Sequence, residues 1–175
     1  MSLTFYNIAI PPLVTGLSNL RAFLKKAEDH AKSNSIDPQE YLDARLYEDM
    51  GALTYQIYRL SDTARFIAVR CAGVEPVSMP DDQKTFEELY GRIDATIEYL
   101  EKVDAKAFED QEGREVTLKF GKGLGAKFTA IEYLTKFGIP NFWFHVTTAY
   151  DILRSKGVPL GKMVKHDQAC PISFR

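Results

Sequence analysis

Residues 37–73, DPQEYLDARLYEDMGALTYQIYRLSDTARFIAVRCAG, decide the fold. Asp37 suits an N-cap, Pro38 has the fixed φ of a first helical residue, and Glu40 stands three residues after the cap. Apolar residues then recur at Leu42, Leu46, Met50, Leu53, Ile57, Leu60, Ala64 and Ile67, alternating steps of three and four as in bundle packing. Gly73 supplies the stop. This rhythm predicts one helix over 38–72. At a rise of about 1.5 Å per residue it would exceed roughly 45 Å, enough to span the domain.

Outward from it, three more helices are expected. Leu13, Leu17, Leu20, Leu24 and Ala27 predict one over 12–33, opening near Pro11–Pro12. A linker rich in Pro and Asp, 74–84, leads to a helix over 86–103. Thr85 is its cap, Glu88 the reciprocal partner, and Phe86, Leu89, Ile93, Ile97 and Leu100 its buried stripe. The last, over 141–156, lies in PNFWFHVTTAYDILRSKGVPLGK (140–162), where Phe142, Val146, Ala149 and Leu153 make the stripe. Pro140 fits its first turn, and Lys156, Gly157 and Pro159 its end. Between 115 and 134 the rhythm changes. Val116, Leu118 and Phe120 alternate with Thr117 and Lys119, the period of a half-buried strand, and GKGLG follows. A small hairpin or extended excursion is expected there. The expected fold is therefore all-α: four helices with a hairpin insertion before the last, in a single domain over 1–175. The tail after Gly161 has no periodicity and is expected to wrap the surface or meet a partner.

Composition bounds the function. A chain of 175 residues, 45% hydrophobic, can bury a core without disulfides or metal. The net charge of −2, with both signs scattered, argues against a nucleic-acid surface. Cys71 and Cys170 form no CxxC pattern, and no apolar run reaches the ~20 residues of a membrane span. The N-terminus lacks a signal-peptide pattern. A cytoplasmic protein without membrane partners is expected.

Candidate chemistry centres on His145, set beside the buried stripe with Ala149 and Ile152 one and two turns on. Burial there can tune an imidazole for proton transfer; a core histidine is the plain alternative. Lysines 119, 122 and 127 around GKGLG could cradle a phosphate, but the P-loop arrangement is absent and a hairpin turn is the simpler reading. His30, His145 and His166 form no ligand-spaced pair, and the first and last are expected at the surface. Asp49 lies next to the apolar seam, as a solvated charge or paired with Arg45 or Arg154. Cys71 is expected to be a buried small hydrophobe. The aromatic residues from Tyr133 to Tyr150 could line a pocket, fill the core or form a dimer face.

YLDARLYEDMGALTYQIYRLSDTA (41–64) and NFWFHVTTAYDILRSKGVPLGK (141–162), with PDDQKTFEELYGRI (80–93), together resemble a family of uncharacterised bacterial and fungal proteins in the DinB/YfiT-like superfamily. The likeness covers nearly the whole chain. It implies a DinB-like four-helix bundle, often dimeric, and in many members a divalent metal on three histidines. With Leu153-Arg154 and Gly157 as register, His145 matches the second helix-four histidine. The first falls at Asn141, and the histidine from helix two falls in 49–56, where this chain has none.

The expectation is then a small-molecule site without metal or other cofactor. His145, Asp49 and Tyr150 would do acid–base work of isomerase, lyase or transferase type. Gln56, Asn141, Trp143 and Arg154 would hold substrate, in a homodimer. The alternatives are a non-catalytic binding or dimerisation module and a metal-dependent thiol transferase of DinB type.

Overall fold

A computed structural model describes residues 3–119 and 125–161. Lys122, Phe120, His166, Cys170 and the tail beyond Gly161 lie outside the described residues, as does most of the GKGLG turn.

The protein is mostly helical with one small antiparallel hairpin. Four long helices carry the core: α1 (Phe5–Asn34), α3 (Leu53–Ala72), α4 (Phe86–Glu101) and α6 (Ile139–Ser155). Short helical segments α2 (Gln39–Leu42) and α5 (Ala130–Tyr133) precede α3 and α6. Helix α3 packs on α6 and α4, and α1 packs on the same two. Leu13, Leu17, Leu20 and Leu24 of α1 meet this interior fully buried, with Ile57, Leu60 and Ala64 of α3 and Phe142, Ala149 and Leu153 of α6.

Helix α1 starts seven residues before the expected Pro12. Thr4 caps it, its Oγ1 accepting from the Asn7 amide at 3.2 Å, and Pro11 and Pro12 sit inside the helix. Each proline removes an intrahelical donor, at a cost of about 3 kcal/mol in an ordinary helix interior. Burial of Phe5, Ala9 and Ile10 offsets that cost, and Phe5 and Tyr6 pack edge-on against Phe108, with centroids 5.4 and 5.6 Å apart.

The helix expected over 38–72 is broken. After α2 the chain runs through a loop, 43–52, and re-enters helix at Leu53, where the Leu53 amide donates to the Ala44 carbonyl at 2.9 Å. Ala52 is extended at φ −63°, ψ 172°. Leu46 is consequently exposed and Met50 only half-buried, although both fit the apolar rhythm. The Tyr55 ring lies against Gly51: a Cβ there would stand 2.2 Å from Tyr55 Cδ1.

The linker after α3 is strapped down by arginines. Arg92 Nη1 donates to the Pro80 carbonyl at 2.6 Å, and its Nη2 meets Asp81 at 2.9 Å and Asp62 at 3.1 Å. Arg65 binds the Val77 carbonyl and Asp62, and Arg59 binds Asp81. The Thr85–Glu88 capping box opens α4 as expected.

Strands β1 (Glu115–Lys119) and β2 (Gly125–Thr129) form the hairpin, with Val116 and Leu118 buried. Lys127 pairs with Glu115 at 3.2 Å, which engages one of the lysines considered for phosphate. Helix resumes earlier than expected, at Ala130, through a second capping box between Thr129 and Glu132. A π-helical turn, Leu134–Gly138, joins α5 to α6. Pro140 therefore falls within a nearly continuous helical run rather than at a free start.

Candidate functional site

The α3–α6 seam carries two polar ties in an apolar interface. Asn141 Nδ2 donates to Thr63 Oγ1 at 2.8 Å, and one turn on, His145 Nδ1 lies 2.8 Å from Gln56 Oε1. Because α3 and α6 run antiparallel here, Gln56, Arg59 and Thr63, spaced i, i+3, i+7, lie along one side of α3.

Hydrogen bonding assigns the tautomer of His145. Gln56 Nε2 donates to the Gly51 carbonyl at 2.8 Å, so its Oε1 must face the imidazole as acceptor. Nδ1 then carries the proton and Nε2 the lone pair. The break at 43–52 is what brings the Gly51 carbonyl to Gln56. Gln56 is 2% exposed and His145 9%. Among the described residues Nε2 has no hydrogen-bond partner. Burial, and then the positive charge of Arg59, push the imidazole down to about 4. His145 is neutral at pH 7.

Aromatic rings surround it. Tyr55 lies edge-on with its centroid 6.5 Å away and Phe144 at 5.2 Å, and both are exposed. Arg59 sits over the Tyr55 ring, its Cζ 5.3 Å from the centroid.

The other expected residues lie elsewhere. Trp143 and Tyr150 share a stripe seven residues apart on α6, but that stripe faces α1: Trp143 packs near Gly16, and Tyr150 lies edge-on to Phe23 at 5.4 Å. Arg154 Nη1 donates to the Val158 carbonyl at 2.8 Å and closes the end of α6. Asp49 is exposed in the 43–52 loop, and Arg45 donates to the Glu48 carbonyl instead of pairing with it. His30 is half-buried rather than a surface residue, with its Nδ1 2.7 Å from the hydroxyl of buried Tyr41. Cys71 is fully buried, as expected. Arg59 and Thr63 were not anticipated. Their signal was available: both stand on the Gln56 side of α3, where a partner for Asn141 was needed.

Two cavities, of about 320 and 330 Å³, lie away from His145: one beside Phe5, Tyr6 and Phe108, the other beside Arg65, Phe66 and Val77. Neither is lined by His145, which is 9% exposed and lies beside the exposed rings of Tyr55 and Phe144.

A three-histidine metal site does not fit this donor set. Among the described residues His145 is the one imidazole in the seam, and the two amides nearest it are engaged, Gln56 at both ends and Asn141 to Thr63. Among the described residues no group of three or more His, Cys, Asp or Glu side chains is placed to hold a metal ion. No helix there is long and apolar enough to cross a membrane.

The helical architecture is DinB-like. A crystal structure of a DinB family member protein from Shewanella denitrificans matches with a TM-score of 0.86 and 30% identity, over 97% of this chain and 95% of that one. The chain belongs to the family described as Domain of unknown function (DUF1993), whose model matches residues 5–164. No curated protein matches it.

Proposed function

We propose that the four long helices form a DinB-type four-helix bundle carrying a small-molecule site at His145, in which Nε2 accepts a proton without a metal. The observation behind this is the Gly51–Gln56–His145 relay. It holds the imidazole in the tautomer with the lone pair on Nε2, the nitrogen that has no hydrogen-bond partner among the described residues. A buried polar atom without a partner costs about 1–3 kcal/mol, which a proton-bearing ligand group at Nε2 would recover. Gln56 is the positioning residue and Asn141 secures the turn before His145. A ligand that brings negative charge offsets the burial and the Arg59 field, and so strengthens the base. Base-initiated elimination, isomerisation and group transfer begin with such a proton transfer.

Carbethoxylation of the native protein with diethyl pyrocarbonate at pH 7, mapped by mass spectrometry, tests this reading. His145 is expected to react through Nε2, and Gln56→Leu to change its rate while the helical circular dichroism is kept. A native protein whose His145 resists the reagent has a core histidine, and the proposal fails.

A second reading is favoured by the exposed rings of Tyr55 and Phe144 beside His145: this face meets another copy of the chain. Sedimentation of the wild type and of Phe144→Ser distinguishes it, since loss of a dimer in the variant supports the contact.

A further inference from the structure

Asp62 and Asp81 are shared by three arginines. Asp62 meets Arg59 at 3.1 Å, Arg92 at 3.1 Å, and Arg65; Asp81 meets Arg92 at 2.9 Å, and Arg59. Three guanidiniums against two carboxylates leave one positive charge unbalanced within this network. The side chains of Arg65 and Arg92 are 6% and 1% exposed, whereas that of Arg59 is 32% exposed. The surplus charge is therefore accessible at Arg59.

The donors of Arg59 are not used up. Its Nη2 serves both aspartates, and its Nε is sealed without a partner. Nη1 has no hydrogen-bond partner among the described residues, on a side chain that is 32% exposed. The same Tyr55 ring lies under this guanidinium and edge-on to His145. Tyr55, 47% exposed, thus lies between one unpaired cationic donor, Arg59 Nη1, and one unpaired acceptor, His145 Nε2, and part of its ring is open to a ligand.

We infer that Arg59 and Tyr55 form the recognition half of the His145 site, and that its ligand is a small, planar organic anion. The carboxylate or equivalent group takes the Arg59 N–H, the body of the ligand lies on Tyr55, and a proton-bearing group meets His145 Nε2. Charge-assisted donors of this kind bind about twice as strongly as neutral ones. The inference rests on the proposed role of His145 for the substrate's orientation, but the anion contact stands on Arg59 and Tyr55.

Benzoate is a suitable probe and benzamide its neutral control. In titrations followed by NMR, the side-chain signal of Arg59, assigned from Arg59→Lys, and the ring signals of Tyr55 are expected to move together and saturate with benzoate. Benzamide should bind at least tenfold more weakly. Arg59→Gln and Tyr55→Ala should each weaken benzoate by tenfold or more. Benzoate that leaves both wild-type signals in place, or that binds no better than benzamide, overturns the inference, and neither result requires a variant to fold. Undiminished benzoate binding by a folded Arg59→Gln overturns it as well. The carbethoxylation result is separate: a reactive His145 with no benzoate response keeps the base and removes the anion, and a benzoate response with an unreactive His145 does the reverse.

Discussion

Gln56 faces His145 with its carbonyl oxygen, at 2.8 Å from Nδ1, because the Gly51 carbonyl has claimed its amide nitrogen. The imidazole is thereby a donor at Nδ1, and its charged form is disfavoured by burial and by Arg59.

The sign of the pH effect follows. Above about pH 6.5 His145 is neutral whether folded or unfolded, so it contributes no slope. Between there and the folded value of about 4, the unfolded chain binds a proton that the folded one refuses, and stability falls as pH falls. The full effect is roughly 3 kcal/mol. Urea denaturation from pH 7 to 4 should show this loss, and His145→Gln should show less of it. Equal slopes in both proteins would place the titration elsewhere.

Arg59→Gln should raise the pH at which His145 titrates, since it removes the nearby cation. The shift should remain smaller than the burial effect, which is the larger cause. NMR of the His145 ring nitrogens against pH measures it; an unchanged midpoint would mean that Arg59 does not act on the site.

Arg92→Ala should destabilise the protein by about 1–3 kcal/mol, because Asp62 and Asp81 each lose one charge-assisted contact while Asp62 keeps Arg59 and Arg65 and Asp81 keeps Arg59. It also releases the Pro80 carbonyl, so hydrogen exchange should rise across 74–84. A loss under 1 kcal/mol in urea would show that the strap holds without it.

Gly16→Ala should cost about 1–3 kcal/mol through overpacking. Its Cβ would stand 2.5 Å from Phe142 Cε1, where α1 crosses α6. Phe142→Leu in the same background should recover part of the loss; additivity of the two changes would separate the sites.

Cys71 should resist alkylation in the folded protein. Burial pushes its thiol up to about 12, so little thiolate exists at pH 8. Peptide mapping after iodoacetamide treatment, with and without urea, gives the comparison; rapid native labelling of Cys71 would show the α3 end opening.

Much of this fold was legible because burial imposes a period on sequence. The stripe of α4 and the Val116–Leu118 alternation reappear as buried faces, and the Thr85–Glu88 box caps α4 at the surface. The failures have physical causes. A rhythm continued through Leu46 and Met50 because periodicity records spacing and not backbone course, so the loop at 43–52 was invisible despite Gly51. Pro11 and Pro12 suggested a start, but tertiary packing of Phe5 and Ile10 outweighed their local cost. The Thr129–Glu132 box was readable, yet it lay in the shadow of the strand pattern. For the site, spacing placed Asn141 one turn before His145 and left the contact from the second helix open between Asp49 and Gln56. It could not tell that Trp143 and Tyr150 face α1, since a helix has several neighbours and a stripe does not name which one it meets.

The π-helical turn at 134–138 acts as an index between two separately set parts. One residue more than α geometry requires is stored there, and each residue turns a helix by about 100°. Upstream, Tyr133 is fixed by its hydroxyl contact with Arg70 at 2.8 Å; downstream, His145 is fixed by Gln56. Gly138 permits the close approach, since a Cβ there would stand 2.9 Å from Ile67 Cγ1. Removing one residue from this turn would leave both ends helical but out of phase. The hairpin or the imidazole would have to rotate away from its partner, so the chain tolerates substitution in this turn more readily than a change in its length.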